Sequence, residues 1–196
     1  MTAPLSRTAI GAILAGVLYF AGQAGELAFS SSDDGEAVFV ALGVAGIVAL
    51  GVAFWGLRTI VSGTRRGRIG IRLALAGFAL LGLFAIQLIV EQIRTGDIPD
   101  NFILFALGFL LVTVGQLLVA RDLRPTVGGA WVLPLVAMAS LVVALTVTAD
   151  PIHDIGLFVF EAAWVGLGIA LLRAKHRQSH SNISEARGPG VATADN

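Results

Sequence analysis

Residues 70–93 read GIRLALAGFALLGLFAIQLIVEQI, and this stretch decides the fold class. It is apolar on all sides of a helix, and at about 1.5 Å per residue it is long enough to cross the roughly 30 Å hydrocarbon core of a bilayer. A transmembrane β-strand would instead alternate apolar and polar residues over about ten positions. The stretch therefore predicts a membrane-spanning α-helix.

Five further segments share this character. The whole chain has a mean hydropathy of +0.86 and is only 13% charged, about half the charged fraction of a typical soluble domain. We therefore predict an all-α, polytopic integral membrane bundle of six transmembrane helices within residues 1–177. The predicted helices are about residues 9–29, 37–57, 70–93, 101–120, 130–149 and 155–173. Residues 178–196, rich in Ser, Asn, Gly and Ala, are predicted to form a disordered cytoplasmic tail.

The first segment also has features of a cleavable signal peptide, because Arg7 precedes an apolar run and residues 21–25 are mostly small. The run is longer than the apolar part of a typical signal, and its end carries Gln23 and Glu26. We expect it to be retained as a membrane helix, with cleavage as the alternative.

Basic residues predict the orientation of the bundle. Of the 13 Lys and Arg residues, all except Arg94 lie before the first helix, in the second or fourth loop, or around and after the end of the sixth helix. The first loop, residues 30–36, is acidic and has no basic residue. Lys and Arg accumulate in cytoplasmic loops, so we predict that both termini are cytoplasmic. A multi-pass protein of a prokaryotic plasma membrane is expected.

Polar side chains inside the predicted helices are the candidate functional residues. An ionisable group in a membrane helix costs roughly 2.5–3.5 kcal/mol on insertion scales, so its presence indicates a role. With the predicted orientation most of these side chains fall in the outer half of the bundle, where converging faces would enclose a carboxylate-lined cavity. In the structural alternative, Glu26 and Glu91 reach interfacial water and Glu161 makes one buried hydrogen bond. The candidate cluster comprises Tyr19, Gln23, Glu26, Gln87, Glu91, Glu161 and Trp164.

Several chemistries lack their sequence signatures. The chain has no cysteine, which excludes disulfides and thiol catalysis, and no nucleotide-binding or zinc-protease motif stands in a suitable context. The predicted helices contain neither Lys nor His, which argues against a retinal Schiff base and a bis-histidine haem site. His153 beside Asp154 offers only a weak two-ligand metal site. We predict no catalytic, cofactor or metal site, and the zero net charge favours no nucleic-acid partner.

Three functions fit these patterns. The leading hypothesis is a non-catalytic accessory or scaffold protein, a solid bundle with the lipid bilayer, a second copy of the chain or other membrane proteins as partners. The alternative is a small transporter or channel component for a cation, proton or polar solute, which requires Gln23, Glu26, Gln87 and Glu161 to face one another. A lipid-acting membrane enzyme is the third, and it requires two acid–base groups within about 3–5 Å of each other.

Overall fold

A computed structural model of the chain describes residues 2–29, 33–61, 63–95, 102–147 and 150–186. Within these ranges all regular structure is helical and no strand occurs. A short 3₁₀ helix, Gly128–Val132, joins the fourth and fifth α-helices. The α-helices are α1 (Thr2–Phe29), α2 (Asp33–Val61), α3 (Arg65–Thr95), α4 (Ile103–Val127), α5 (Leu133–Thr146) and α6 (Asp150–Ala186).

Five helical segments of the described chain are long and apolar enough to cross a membrane. The sequence predicts six, and the difference lies in the fourth segment, which runs through both α4 and α5. The segments are Leu5–Ala24, Ala41–Val61, Arg65–Glu91, Ile103–Thr146 and Ile152–Arg177.

The chain turns between α4 and α5 at Gly128. Its φ of +58° is the one left-handed backbone angle among the described residues, a conformation that glycine adopts without steric cost. The N–H of Gly128 donates to the carbonyl oxygen of Arg124 and ends α4. Pro134 then lies at the first positions of α5, where its missing N–H leaves no intrahelical bond unmade.

Helices α1 and α2 pack antiparallel along their length. Thr8, near the start of α1, lies against Gly56 near the end of α2, and Tyr19 lies against Gly46 further back along α2. Small residues at such contacts let two backbones approach closely, which is the main source of packing energy between helices in lipid.

Helix α6 packs antiparallel against a different face of α1. Lys175 Nζ donates to Ser6 Oγ over 2.7 Å near one end of the pair. Toward the other end, the rings of Phe20 and Phe158 meet edge to face with centroids 5.4 Å apart. Helix α1 therefore lies between α2 and α6.

Helices α3 and α4 form a second close antiparallel pair. A Cβ placed on Gly77 would lie 2.6 Å from the carbonyl oxygen of Gly108, and one on Gly115 would lie 2.6 Å from that of Gly70. These distances show that the two backbones are nearly in contact. Helix α5 pairs with α6 in the same antiparallel sense, with Ser140 and Ala144 against Gly156.

One end of the bundle gathers the basic residues. A hydrogen bond from Thr64 Oγ1 to Asp122 Oδ2 joins the turn before α3 to the last turns of α4, and the Lys175–Ser6 bond joins the ends of α6 and α1 at the same level. Because the helices alternate in direction, all described Lys and Arg residues except Arg94 lie toward this end.

Helix α6 is longer than the sequence predicts. The prediction ends it near residue 173 and places a disordered tail from residue 178, but the helix continues to Ala186. Ser179 Oγ donates to the carbonyl oxygen of Lys175 over 3.1 Å within this extension. The first helix-breaking pair after Arg173 is Gly188-Pro189, so nothing earlier in the sequence stops the helix. Residues 187–196 lie outside the described part.

Candidate functional site: a cavity at the centre of the bundle

A cavity of about 340 Å³ lies between the six α-helices, all of which line it, in the half of the bundle opposite to the basic residues, and it is called the central cavity below. Three of its lining side chains are polar and the others are aliphatic, aromatic or glycine. Residues that represent each helix in turn are Tyr19, Gly43, Phe84, Phe105, Leu145 and Glu161.

Tyr19 is held in place from two sides. Its ring lies against Gly46 of α2, and it meets the ring of Phe160 edge to face, with centroids 5.3 Å apart and planes at 82°. Edge-to-face geometry is the favoured arrangement of two aromatic rings. The glycine on one side and the phenyl ring on the other therefore orient the phenol at the cavity wall.

Gln23 and Glu161 are the two other polar side chains of the cavity. Each is only 5% exposed. Neither Gln23 Oε1 nor Nε2, nor Glu161 Oε2, has a hydrogen-bond partner within the described residues. A buried polar group left without a partner costs about 1–3 kcal/mol, so such groups are rare in native proteins and each one requires an explanation, such as a bound water, ion or other ligand.

The predicted cluster is brought together only in part. Tyr19, Gln23 and Glu161 line the same cavity. Gln87 and Glu91 are half-buried but do not line it, because α3 presents Leu81, Phe84, Ala85 and Leu88 instead. The side chain of Glu26 lies outside the described part of the structure.

Trp164 belongs to the core beside the cavity. Its ring is fully buried and packs against Phe54 and Phe160, with centroids 5.8 and 6.5 Å away. Its Nε1 has no hydrogen-bond partner among the described residues. Trp164 does not line the cavity, but it contacts Phe160, which does.

The sequence did not identify the aromatic wall of the cavity. Phe84 of α3 meets Phe105 of α4 with ring centroids 5.5 Å apart, and Phe109 lies one turn beyond Phe105. The four-residue spacing of Phe105 and Phe109 was the available signal, since it places both rings on one face of α4. Gln116 of α4 is also fully buried with an unpartnered Oε1, but it is not among the residues that line this cavity.

Lysine and histidine do occur in the helices, which corrects the sequence argument against retinal and haem. The observed α6 includes Lys175 and the three histidines because it extends beyond its predicted bounds at both ends. Lys175 bonds to Ser6, and His153 Nδ1 lies 2.8 Å from the carbonyl oxygen of Ala144. No group of three or more His, Asp or Glu side chains that could hold a metal ion occurs among the described residues.

The chain matches no protein-family model, and comparisons with curated proteins and with solved structures gave no match. The volume of the central cavity lies within the roughly 300–1,000 Å³ range of small-molecule sites, which are mostly apolar with a few placed polar groups. A phenol, an amide and a carboxyl within apolar walls suit a small, largely apolar molecule that carries a hydrogen-bonding group.

Proposed function

We propose that the chain is a non-catalytic protein of the cell membrane that binds a small, largely apolar molecule in its central cavity. The observation that carries this proposal is that Gln23 and Glu161 lie buried on one largely apolar cavity, and that Gln23 Oε1 and Nε2 and Glu161 Oε2 have no hydrogen-bond partner among the described residues. A hydrogen-bonding group on the bound molecule would pair with these two side chains. The apolar part of the molecule would fill the cavity and contact its aromatic wall.

Six crossings with both termini in the cytoplasm belong to the same proposal. Phe105 near the start of α4 and Leu145 near the end of α5 line one cavity, so these helices run in opposite directions. Helix α5 has only 14 residues, but with the five-residue 3₁₀ helix before it it reaches roughly 30 Å, the thickness of a bilayer core.

The interfacial residues support the orientation. The end of the bundle with the basic residues also carries Trp55, whose ring lies 4.6 Å from the guanidinium carbon of Arg58, and Trp131 in the 3₁₀ helix. Trp is enriched where a helix leaves the bilayer, and Arg is enriched on the cytoplasmic side. The basic end is accordingly proposed as the cytoplasmic one.

The cavity favours ligand binding over the two other main hypotheses. A solid scaffold would fill its centre with side chains, as protein interiors generally do. A pathway for a cation needs oxygen atoms to replace the hydration shell, and Gln87, which that hypothesis requires in the cavity, does not line it.

Quenching of Trp164 fluorescence tests the proposal. A terminally brominated medium-chain alcohol serves as the probe, since bromine quenches an indole ring at short range. The protein is placed in lipid nanodiscs with Trp55 and Trp131 replaced by Phe, so that the buried Trp164 is the one remaining tryptophan. Saturable quenching is expected, and quenching that rises linearly with the alcohol would show partitioning into lipid and contradict binding.

Gly43→Leu and Gly82→Leu form a matched pair of variants. A Cβ on either residue meets no atom within 4 Å, so neither substitution clashes at its first side-chain atom. Gly43 lines the cavity and Gly82 does not. Gly43→Leu is expected to weaken binding of the alcohol by about tenfold or more, equivalent to about 1.4 kcal/mol, while Gly82→Leu leaves it unchanged. Equal affinities of the two variants would overturn the assignment of the site.

A further inference from the structure

We infer that the ligand is a single-chain amphiphile of the membrane that reaches the cavity sideways from the bilayer, between α1 and α6 and past Glu161. This inference rests on the proposed function, because it needs the central cavity to be a binding site. It adds the route into the cavity and the chemical class of the molecule.

The proposed route starts at a groove on the surface of the α1–α6 pair that faces away from the bundle. It has a volume of about 400 Å³ and is lined by residues of these two helices alone. Val17, Phe20 and Phe158 on its walls are each about half exposed. A half-exposed apolar side chain on a membrane helix faces lipid, so the groove is open to the hydrocarbon core.

Glu161 borders both the groove and the central cavity. It is a buried side chain whose Oε2 has no partner among the described residues, so no hydrogen bond to that atom must break when the side chain changes rotamer. A carboxyl group at this point also offers the first polar contact to a head group that arrives from lipid. The groove and the cavity thus share one lining side chain, Glu161.

Two aromatic pairs flank Glu161. Phe20 meets Phe158 on the groove side, and Tyr19 meets Phe160 on the cavity side. Rotation of ring and carboxyl side chains opens a path without separating the helices, which stay closely packed at Gly16. Side-chain rotations of this kind are far faster than helix movements.

The route and the walls together define the ligand. A molecule that arrives through the hydrocarbon core must dissolve there, which excludes hydrated ions and strongly polar solutes. The phenol, amide and carboxyl groups of the cavity can pair with a head group that both donates and accepts hydrogen bonds. The moderate volumes of groove and cavity, about 400 and 340 Å³, favour one slender chain over a two-chain lipid.

Reversible blockage of the groove tests the route. The chain has no cysteine, so Ala162→Cys introduces a single thiol at an exposed position that lines the groove but not the cavity. A benzyl methanethiosulfonate reagent then attaches a bulky group as a disulfide, which a reductant removes again. Ala79→Cys, at an exposed position of α3 away from both spaces, is the matched control.

Stopped-flow quenching of Trp164 by the brominated alcohol gives the rates before and after modification. Blockage at residue 162 is expected to slow association and release together by about tenfold while the equilibrium affinity stays within about twofold. Reduction of the disulfide should restore both rates in the same sample. Modification at residue 79 should change neither.

The other outcomes separate this inference from the proposed function. Unchanged rates in modified Ala162→Cys, with binding still weakened by Gly43→Leu, would overturn the lateral route and leave the cavity as the binding site. A loss of affinity with an unchanged association rate would make the groove part of the site and also overturn the route. Absence of saturable quenching in the unmodified protein would overturn both proposals.

Discussion

Tyr19 and Gly46 are in such close contact that a Cβ at residue 46 would come within 2.7 Å of the tyrosine ring atom Cε2. The ring has Phe160 on its other flank, so it has little room to retreat from α2. The glycine therefore sets the position of a polar group of the cavity as well as the spacing of α1 and α2.

Gly46→Ala is expected to destabilise the protein by about 1–3 kcal/mol, because the added methyl group overpacks this contact. Gly43→Ala, one turn away on the same helix, is the control, since its Cβ would meet no atom within 4 Å. That control should be neutral or more stable by up to about 1 kcal/mol, the helix-propensity gain of Ala over Gly. Reversible unfolding in mixed detergent micelles measures both. Equal unfolding free energies for the two variants would contradict the contact.

Gly77→Ala tests the α3–α4 pair. The neighbour of its Cβ would be the backbone oxygen of Gly108 at 2.6 Å, and a backbone atom cannot turn aside as a side chain can. The helices must then move apart and lose contacts along their length, so a loss of stability of at least about 2 kcal/mol is expected. Gly82→Ala on the same helix, where the Cβ meets open space, is the control. A stable Gly77→Ala protein with unchanged helix spacing would contradict the observed packing.

The helical class and the alternating basic loops follow from the sequence because bilayer thickness and loop charge act on whole segments. The face that each helix turns toward the interior of the bundle is harder to predict from the sequence. Residues 70–93 are apolar nearly all round, so Gln87 and Glu91 do not determine which side turns inward, and close packing at Gly70, Gly77 and Gly108 sets the rotation instead. Gln23 and Glu161 are candidates in the sequence because they are polar residues in apolar segments, and in the structure both are buried and line the cavity.

The length of α6 could not be predicted from hydropathy. Beyond residue 173 the chain loses its apolar character, and the sequence therefore predicts a disordered tail over residues 178–196. Polar residues are compatible with a helix outside the bilayer, and the Lys175–Ser6 hydrogen bond holds α6 against α1 where the apolar segment ends. Apolar length indicates the portion of a helix that lies in lipid, which is shorter than the helix itself.

Reporter fusions test the six-crossing topology. Alkaline phosphatase is active only outside the cytoplasm, and green fluorescent protein exported unfolded through the general secretion pathway fluoresces only inside. Fusions after Gly129 and after Asn196 should fluoresce and lack phosphatase activity, and a fusion after Val147 should show the opposite. If residues 103–146 crossed the membrane only once, the fusion after Asn196 would lie on the other side from the amino terminus. Phosphatase activity at Asn196 with a cytoplasmic amino terminus would therefore contradict the proposal.

Glu161→Leu should separate stability from binding. Glu161 Oε2 is buried without a partner among the described residues, so an apolar side chain of similar size removes an unsatisfied polar group, and we expect the unfolding free energy to rise by about 1–3 kcal/mol. Gln116→Leu should be stabilised for the same reason, since Gln116 Oε1 is also buried with no partner in the described part of the chain. Only Glu161 lines the cavity, so only its replacement should weaken binding of the brominated alcohol.

The two Leu variants are compared in the same nanodiscs by unfolding and by Trp164 quenching. Glu161→Gln, which keeps a hydrogen-bonding group of the same shape, should retain most of the affinity that Glu161→Leu loses. If Glu161→Leu were more stable and still bound the alcohol as tightly as the wild type, the carboxyl group would not contact the ligand. Replacing Glu161 would then raise the stability of the protein without weakening ligand binding. That result would show that the buried carboxyl group has no role in binding.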